Sequence, residues 1–146
     1  MTEIDLNALM ELVLSWAKPQ PEISGILLVG SYARGDFRTD SDVDLVILGE
    51  NKGKLLEDPS WTKIFGEIES QSREDWGAVV SLRTMYKGGL EVEFGLTNRQ
   101  WARLAPLDQG TLRVIRGGAK IIWDPKGILG DLLESCSKAK IILTDF

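Results

Sequence analysis

The chain has no histidine and a single cysteine, Cys136, in 146 residues. Without histidine, a Ser-His-Asp triad, an imidazole general base and a histidine-based metal site are all excluded within the chain. A lone thiol cannot close an internal disulfide and fits a reducing compartment, so a cytoplasmic location is expected. Basic runs are missing too: 17 Lys and Arg stand against 22 Asp and Glu, for a net charge of −5. That balance lacks the positive footprint a polyanion requires, which argues against nucleic acid as a partner. No apolar run reaches the ~18 residues that span a bilayer. The acidic opening Met-Thr-Glu-Ile-Asp also lacks the layout of a signal peptide, so no membrane association is expected. Repeats, low-complexity tracts and linker-like segments are absent, which leaves one domain over residues 1–146 as the expectation.

What is present is an ordinary globular balance, 43% apolar and 27% charged, enough to build a core without disulfide or metal staples. Ile4, Leu6, Leu9, Met10, Val13, Leu14 and Trp16 recur at near-helical spacing and Pro19 and Pro21 end the pattern, predicting a helix over about 3–17. The continuous apolar runs 24–29 and 42–48 read as neighbouring strands buried on both faces. A helix is predicted between Lys54 and Ser70, starting near Ser60. Segments 78–86 and 90–96 read as a hairpin turning at Lys87-Gly88-Gly89. Asn98 and Asp108 are placed to cap two short helices, 119–123 reads as a last strand, and a helix follows from Gly127.

The chemistry concentrates in acids. Asp42 and Asp44 are two apart at the start of a strand, so they project from one face about 6.5–7 Å apart along the chain. Such a pair repels itself unless a cation lies between, and oxygen ligands without His or Cys favour Mg²⁺ or Mn²⁺ over Zn²⁺. A third carboxylate is available at Glu91 or Glu93, which share a strand face. Alternation does not choose between them; Glu93 is preferred as the mid-strand residue, where an idle charge is least tolerated, and Glu91 is the reserve. Three such carboxylates can hold two cations of the kind that assist phosphoryl displacement. Gly30-Ser31, directly after the first strand, offers backbone access and hydroxyl and N–H donors for a phosphate. Arg34 either binds phosphate or pairs with a nearby carboxylate such as Asp36 or Asp40. Trp61, Trp76 and Trp101 read as packing residues and not as stacking platforms.

Two look-alikes fail. Gly30 and Gly35 have the gap of a Walker A loop, but Asp36 and Phe37 stand where it needs Lys and then Ser or Thr. Asp40, Asp42 and Asp44 imitate an EF-hand opening, but Leu45 occupies its glycine position and Asn51 its final glutamate.

The stretch Gly30-Ser31-Tyr32-Ala33-Arg34-Gly35-Asp36-Phe37-Arg38-Thr39-Asp40-Ser41-Asp42-Val43-Asp44-Leu45-Val46-Ile47 resembles the signature of the polymerase-beta-like nucleotidyltransferase superfamily. Looser likeness runs through 90–96 and 113–125. The resemblance implies an α/β (α+β) fold, a mixed sheet of about five strands flanked by helices. It also implies Gly30 and Ser31 at the nucleotide, where Arg34 is a further candidate, and Asp42, Asp44 and a third acid, with Glu93 the preferred candidate, as catalytic ligands of two Mg²⁺ ions. The expected activity is transfer of a nucleoside monophosphate, AMP from Mg·ATP, to a hydroxyl of a small molecule or protein. An alternative from another class is a non-catalytic, antitoxin-like interaction protein or a nucleotide-binding module on the same scaffold.

Overall fold

The computed structural model describes residues 3–38 and 40–144. Thr39, within the motif, lies outside the described residues, as do the two residues at each end. Six strands form one mixed sheet: β1 (Ile23–Val29), β2 (Val43–Gly49), β3 (Ile68–Asp75), β4 (Val80–Tyr86), β5 (Glu91–Thr97) and β6 (Ala119–Trp123). Their order is β3-β4-β5-β2-β1-β6. Only the β2–β5 pairing is parallel; the four others are antiparallel. The expected count of about five is thus corrected to six.

All seven residues of β1 are buried, and the reason is alternation between two cores. Ile26 and Leu28 join a back cluster with Leu9 and Val13 of helix α1 (Glu3–Ala17), along with Trp61 and Phe65. Leu27 and Val29 join a front cluster with Leu112 of α4 (Gln109–Arg116) and Leu129, Leu132 and Cys136 of α5 (Ile128–Thr144). Strand β2 divides likewise, Leu45 and Ile47 to the back and Val46 and Leu48 to the front. Both runs are therefore continuous in sequence while each residue serves one layer.

The single helix predicted between 54 and 70 is absent. A short α3 (Lys52–Glu57) and a 3₁₀ helix (Pro59–Phe65) replace it, followed by β3. Asp58 breaks the run: its Oδ1 accepts from the Ser60 N–H at 3.2 Å, and Pro59 cannot donate to a preceding turn. Trp61 and Phe65 still reach the core because the short helices pack against α1 and the sheet.

Remaining elements follow their local signals. The turn after Tyr86 runs through Gly88 and Gly89, both with positive φ. Asn98 Oδ1 accepts from Gln100 N–H at 3.0 Å to start the 3₁₀ helix Arg99–Ala102, and Asp108 Oδ2 accepts from Thr111 N–H at 2.9 Å to start α4. No helix among the described residues is long and apolar enough to cross a membrane.

Candidate active site

Register places the acids. Residues directly opposite each other on neighbouring strands project from the same face of a sheet. Val29 of β1 faces Asp44 of β2, Asp44 faces Glu93 of β5, and Glu93 faces Arg83 of β4. One row across the sheet front thus reads Val29, Asp44, Glu93, Arg83. Asp42, immediately before β2, adds a third carboxylate on the same side. Asp42, Asp44 and Glu93 each offer an oxygen within 4.8 Å of the other two. Glu91 is oriented differently, with Oε1 at 3.8 Å from Arg83 Nε. Arg83 also lies 3.6 Å from Glu74 Oε1.

Asp44 is the strained member. Its Oδ1 is buried without a hydrogen-bond partner. Burial pushes its carboxyl up to about 8, followed by the negative charge of Asp42 and by hydrogen bonding to Asp42 and Glu93. Contacts between carboxyl groups bond only while one proton is shared and repel once it leaves. An orphaned buried oxygen among three acids is a donor set suited to a hard cation, and no nitrogen or sulfur ligand stands in the cluster.

The Gly-Ser turn abuts this cluster from the β1 side. Gly30 has φ +77, and a Cβ there would come within 2.7 Å of Asp44 Oδ2. Only glycine meets both demands, the backbone conformation and the carboxylate against it. Ser31 opens the four-residue helix α2 (Ser31–Arg34), whose first N–H groups have no partner inside the helix. Gly30 N–H is held by Gly118 O at 3.3 Å, tying the turn to the residue before β6. Arg34 points elsewhere: its Nε donates to Asp36 Oδ2 at 3.1 Å and its Nη1 to Gly117 O at 2.7 Å. Of its two expected uses the structure displays the ion pair, and with it a strap between α2 and the 117–118 turn.

Sequence reasoning missed three neighbours of the site. Tyr32 is buried, its ring stacked on Phe37 with centroids 4.3 Å apart and its hydroxyl unpartnered. Burial, and then the charge of Asp42, hold that phenol above its ordinary value. Arg83 reaches the cluster only through pairing of β4 with β5, which no local signal announces. Trp76, read as a packing residue, is 65% exposed, whereas Trp61 and Trp101 are buried as expected. It lines a cavity of about 590 Å³ that opens beside Asp44 and Glu93.

Comparison with known proteins adds the following. The nucleotidyltransferase domain family matches residues 9–97, more than half of the chain, from within α1 through the end of β5, the segment that carries the acids. No curated protein matches. An aminoglycoside 6-adenyltransferase from Bacillus subtilis superposes with a TM-score of 0.51 at 16% identity, over 64% of this chain and 35% of its own. A CCA-adding enzyme solved with CTP superposes with a TM-score of 0.50 at 20% identity, over 92% of this chain and 33% of its own. The chain therefore spans about a third of the length of these structures. Because one of the two is an enzyme named for adding CCA, the fold lends no support to the expectation against nucleic acid. The likeness bears on the fold, a mixed sheet flanked by helices; the match over residues 9–97 bears on ancestry, and by it the chain belongs to the nucleotidyltransferase domain family.

Proposed function

We propose that the protein transfers a nucleoside monophosphate, AMP from Mg·ATP, to a hydroxyl of a small molecule or protein. The observation that carries this reading is the cluster Asp42, Asp44 and Glu93, with the unpartnered Asp44 Oδ1, set against the Gly30-Ser31 turn. An interaction module has no use for three crowded carboxylates, whose repulsion costs stability unless a cation is bound.

In this reading the Ser31 hydroxyl and the free N–H groups at the start of α2 donate to oxygens of the triphosphate. Asp42, Asp44 and Glu93 would hold Mg²⁺, with Mn²⁺ as a substitute, in the two-ion arrangement of such sites. When bound, the cations neutralise phosphate charge and make a coordinated hydroxyl more acidic. Glu93 accepts the proton of the acceptor hydroxyl through an Oε atom. The hydroxyl oxygen forms its bond to the α-phosphorus in line, the bond between that phosphorus and the bridging oxygen breaks, and pyrophosphate departs. Gly30 keeps the phosphate turn against Asp44, so the two halves of the site share one rigid support.

The experiment is calorimetric titration of Mg·ATP into the wild type and into the double variant Asp42→Asn, Asp44→Asn, with pyrophosphate release measured in parallel. Loss of two charged ligands is expected to weaken binding at least about tenfold and to abolish release. Equal binding by both proteins would end the metal-site reading.

A further inference from the structure

We infer that the cavity beside Asp44 and Glu93 is the acceptor pocket, and that it takes a flat, uncharged ring compound carrying the hydroxyl to be modified. The inference rests on the nucleotidyl-transfer reading above and adds the place and chemistry of the acceptor.

Position comes from strand order. Gly30 abuts Asp44 from the β1 flank, Asp44 and Glu93 lie on the two central strands, and the cavity runs from Val29 and these acids over β5 and β4 toward the β3–β4 turn. Neither Gly30 nor Ser31 lines it. Beyond the acids the sheet floor of the cavity is drawn from β5, β4 and the turn before β4, with Val29 alone on the β1 side, so most of that floor is on the flank away from the phosphate turn. In-line displacement requires the entering oxygen to approach the α-phosphorus from the side away from the departing pyrophosphate. With pyrophosphate on the Gly30-Ser31 turn, that side is the cavity.

Chemistry comes from the walls. The floor is the next row of the sheet front, Val46, Gly95 and Ser81. At Gly95 a Cβ would lie 3.1 Å from both Leu45 O and Val79 Cγ1, so Val79 packs closely over the strand there and any larger residue would crowd the floor. Ala78 and Val79 on one side and Val114 of α4 on the other are apolar. Trp76 stands at the rim, fixed by a tight turn in which its N–H donates to Val79 O at 2.9 Å and Gly77 N–H donates to Asp75 Oδ1 at 2.8 Å. An exposed indole presented this way is a stacking platform. Lining charges away from the acids are mostly answered within the protein: Arg83 pairs with Glu74 and Glu91, and Asp108 accepts from Thr111 and pairs with Arg103. Arg113 of α4 is exposed and free to turn to solvent. A ligand therefore need not bring charge, and a polycation would displace none of these pairs to advantage.

The test saturates the protein with Mg²⁺ and α,β-methylene-ATP, whose α–β bridge cannot be cleaved, and titrates three probes: adenosine, N-acetyltyrosinamide and kanamycin. The readout is the ¹⁵N-indole signal of Trp76, assigned with Trp76→Phe. At least one of the two ring compounds is expected to shift that signal saturably, telling which ring is preferred. Its affinity, followed by calorimetry on both proteins, should fall about fivefold or more in Trp76→Ala. Kanamycin should leave the signal in place. Response to kanamycin alone, or to no probe, overturns the proposal while nucleotide binding stands. So does a fivefold loss of nucleotide affinity in Trp76→Ala, which would give the cavity to the donor's base. Failure of the wild type to bind the nucleotide at all would end the transfer reading and this inference together, and is seen before any probe is added.

Discussion

Asp44 is the residue on which the chemistry and the stability of the fold pull in opposite directions. Its carboxyl titrates near 3.8 when free and near 8 in the fold, first because it is buried and then because Asp42 is beside it. The folded chain therefore keeps a proton that the unfolded chain has already released. Stability from that proton is complete below about pH 4 and is lost as pH rises toward 8. In EDTA, thermal melts of the wild type are expected to decline across this window, and those of Asp44→Asn to decline less, so that the variant is the more stable protein at pH 8. Mg²⁺ should raise the wild-type midpoint at pH 8 and leave the variant's unchanged. Parallel curves for the two proteins would show that Asp44 carries no such burden. At this scale much of the site was legible: the Asp-x-Asp spacing and the Gly-Ser turn are local, and both are found against each other. Choosing between Glu91 and Glu93 needed a partner strand, because both project from one face and only register sets Glu93, and not Glu91, directly opposite Asp44.

At the level of elements, helix α5 depends on a single residue before its first turn. Asp124 Oδ1 accepts from Leu129 N–H at 3.0 Å and Oδ2 from Gly130 N–H at 2.9 Å. These are donors that a helix start leaves without partners. Asp124→Ala is expected to cost about 1 kcal/mol in urea denaturation, with Asp124→Asn recovering part of it. A loss indistinguishable from zero would mean that packing of Leu129 and Leu132 alone sets the helix start. Asp124 reaches five and six residues ahead, whereas the caps at Asn98 and Asp108 act within three residues and for that reason were readable from sequence. Strand β3 was not. It is an edge strand whose eight residues include four charged ones, and none of the eight is fully buried. Its pattern is set by a neighbour on one side only, so the apolar spacing upstream was extended through it as a helix that Asp58-Pro59 in fact interrupts.

Across the whole molecule the sheet separates what holds the fold together from what performs the reaction. On the back, Trp61 stacks on Trp16 of α1 at 4.7 Å, meets Phe94 edge-on at 5.0 Å, and donates from Nε1 to Leu55 O at 2.9 Å. Trp61→Ala should therefore lose about 3 kcal/mol of stability. Nucleotide affinity of the folded fraction should stay within about twofold of wild type, because Trp61 and the aromatics it touches pack behind the sheet, away from the front row of acids. Calorimetry below the melting transition, paired with urea titration, checks both halves; a large affinity change would mean that the layers are mechanically coupled. The parallel pairing of β2 with β5, which assembles the acids, joins segments some fifty residues apart. No periodicity in either segment foretold that they would meet.

Strand order has one more consequence. Asp44 and Glu93 are on strands hydrogen-bonded on both sides, where a backbone shift would be felt through the entire sheet. Trp76 rides on the turn that leaves the outermost strand β3, where exchange of residues disturbs little. If the cavity takes the acceptor as proposed, selection can rewrite that grip a few residues at a time while the row of acids stands still. A lineage built this way is free to change customers without rebuilding its engine, and grafting a new 75–79 turn is the laboratory form of the same freedom.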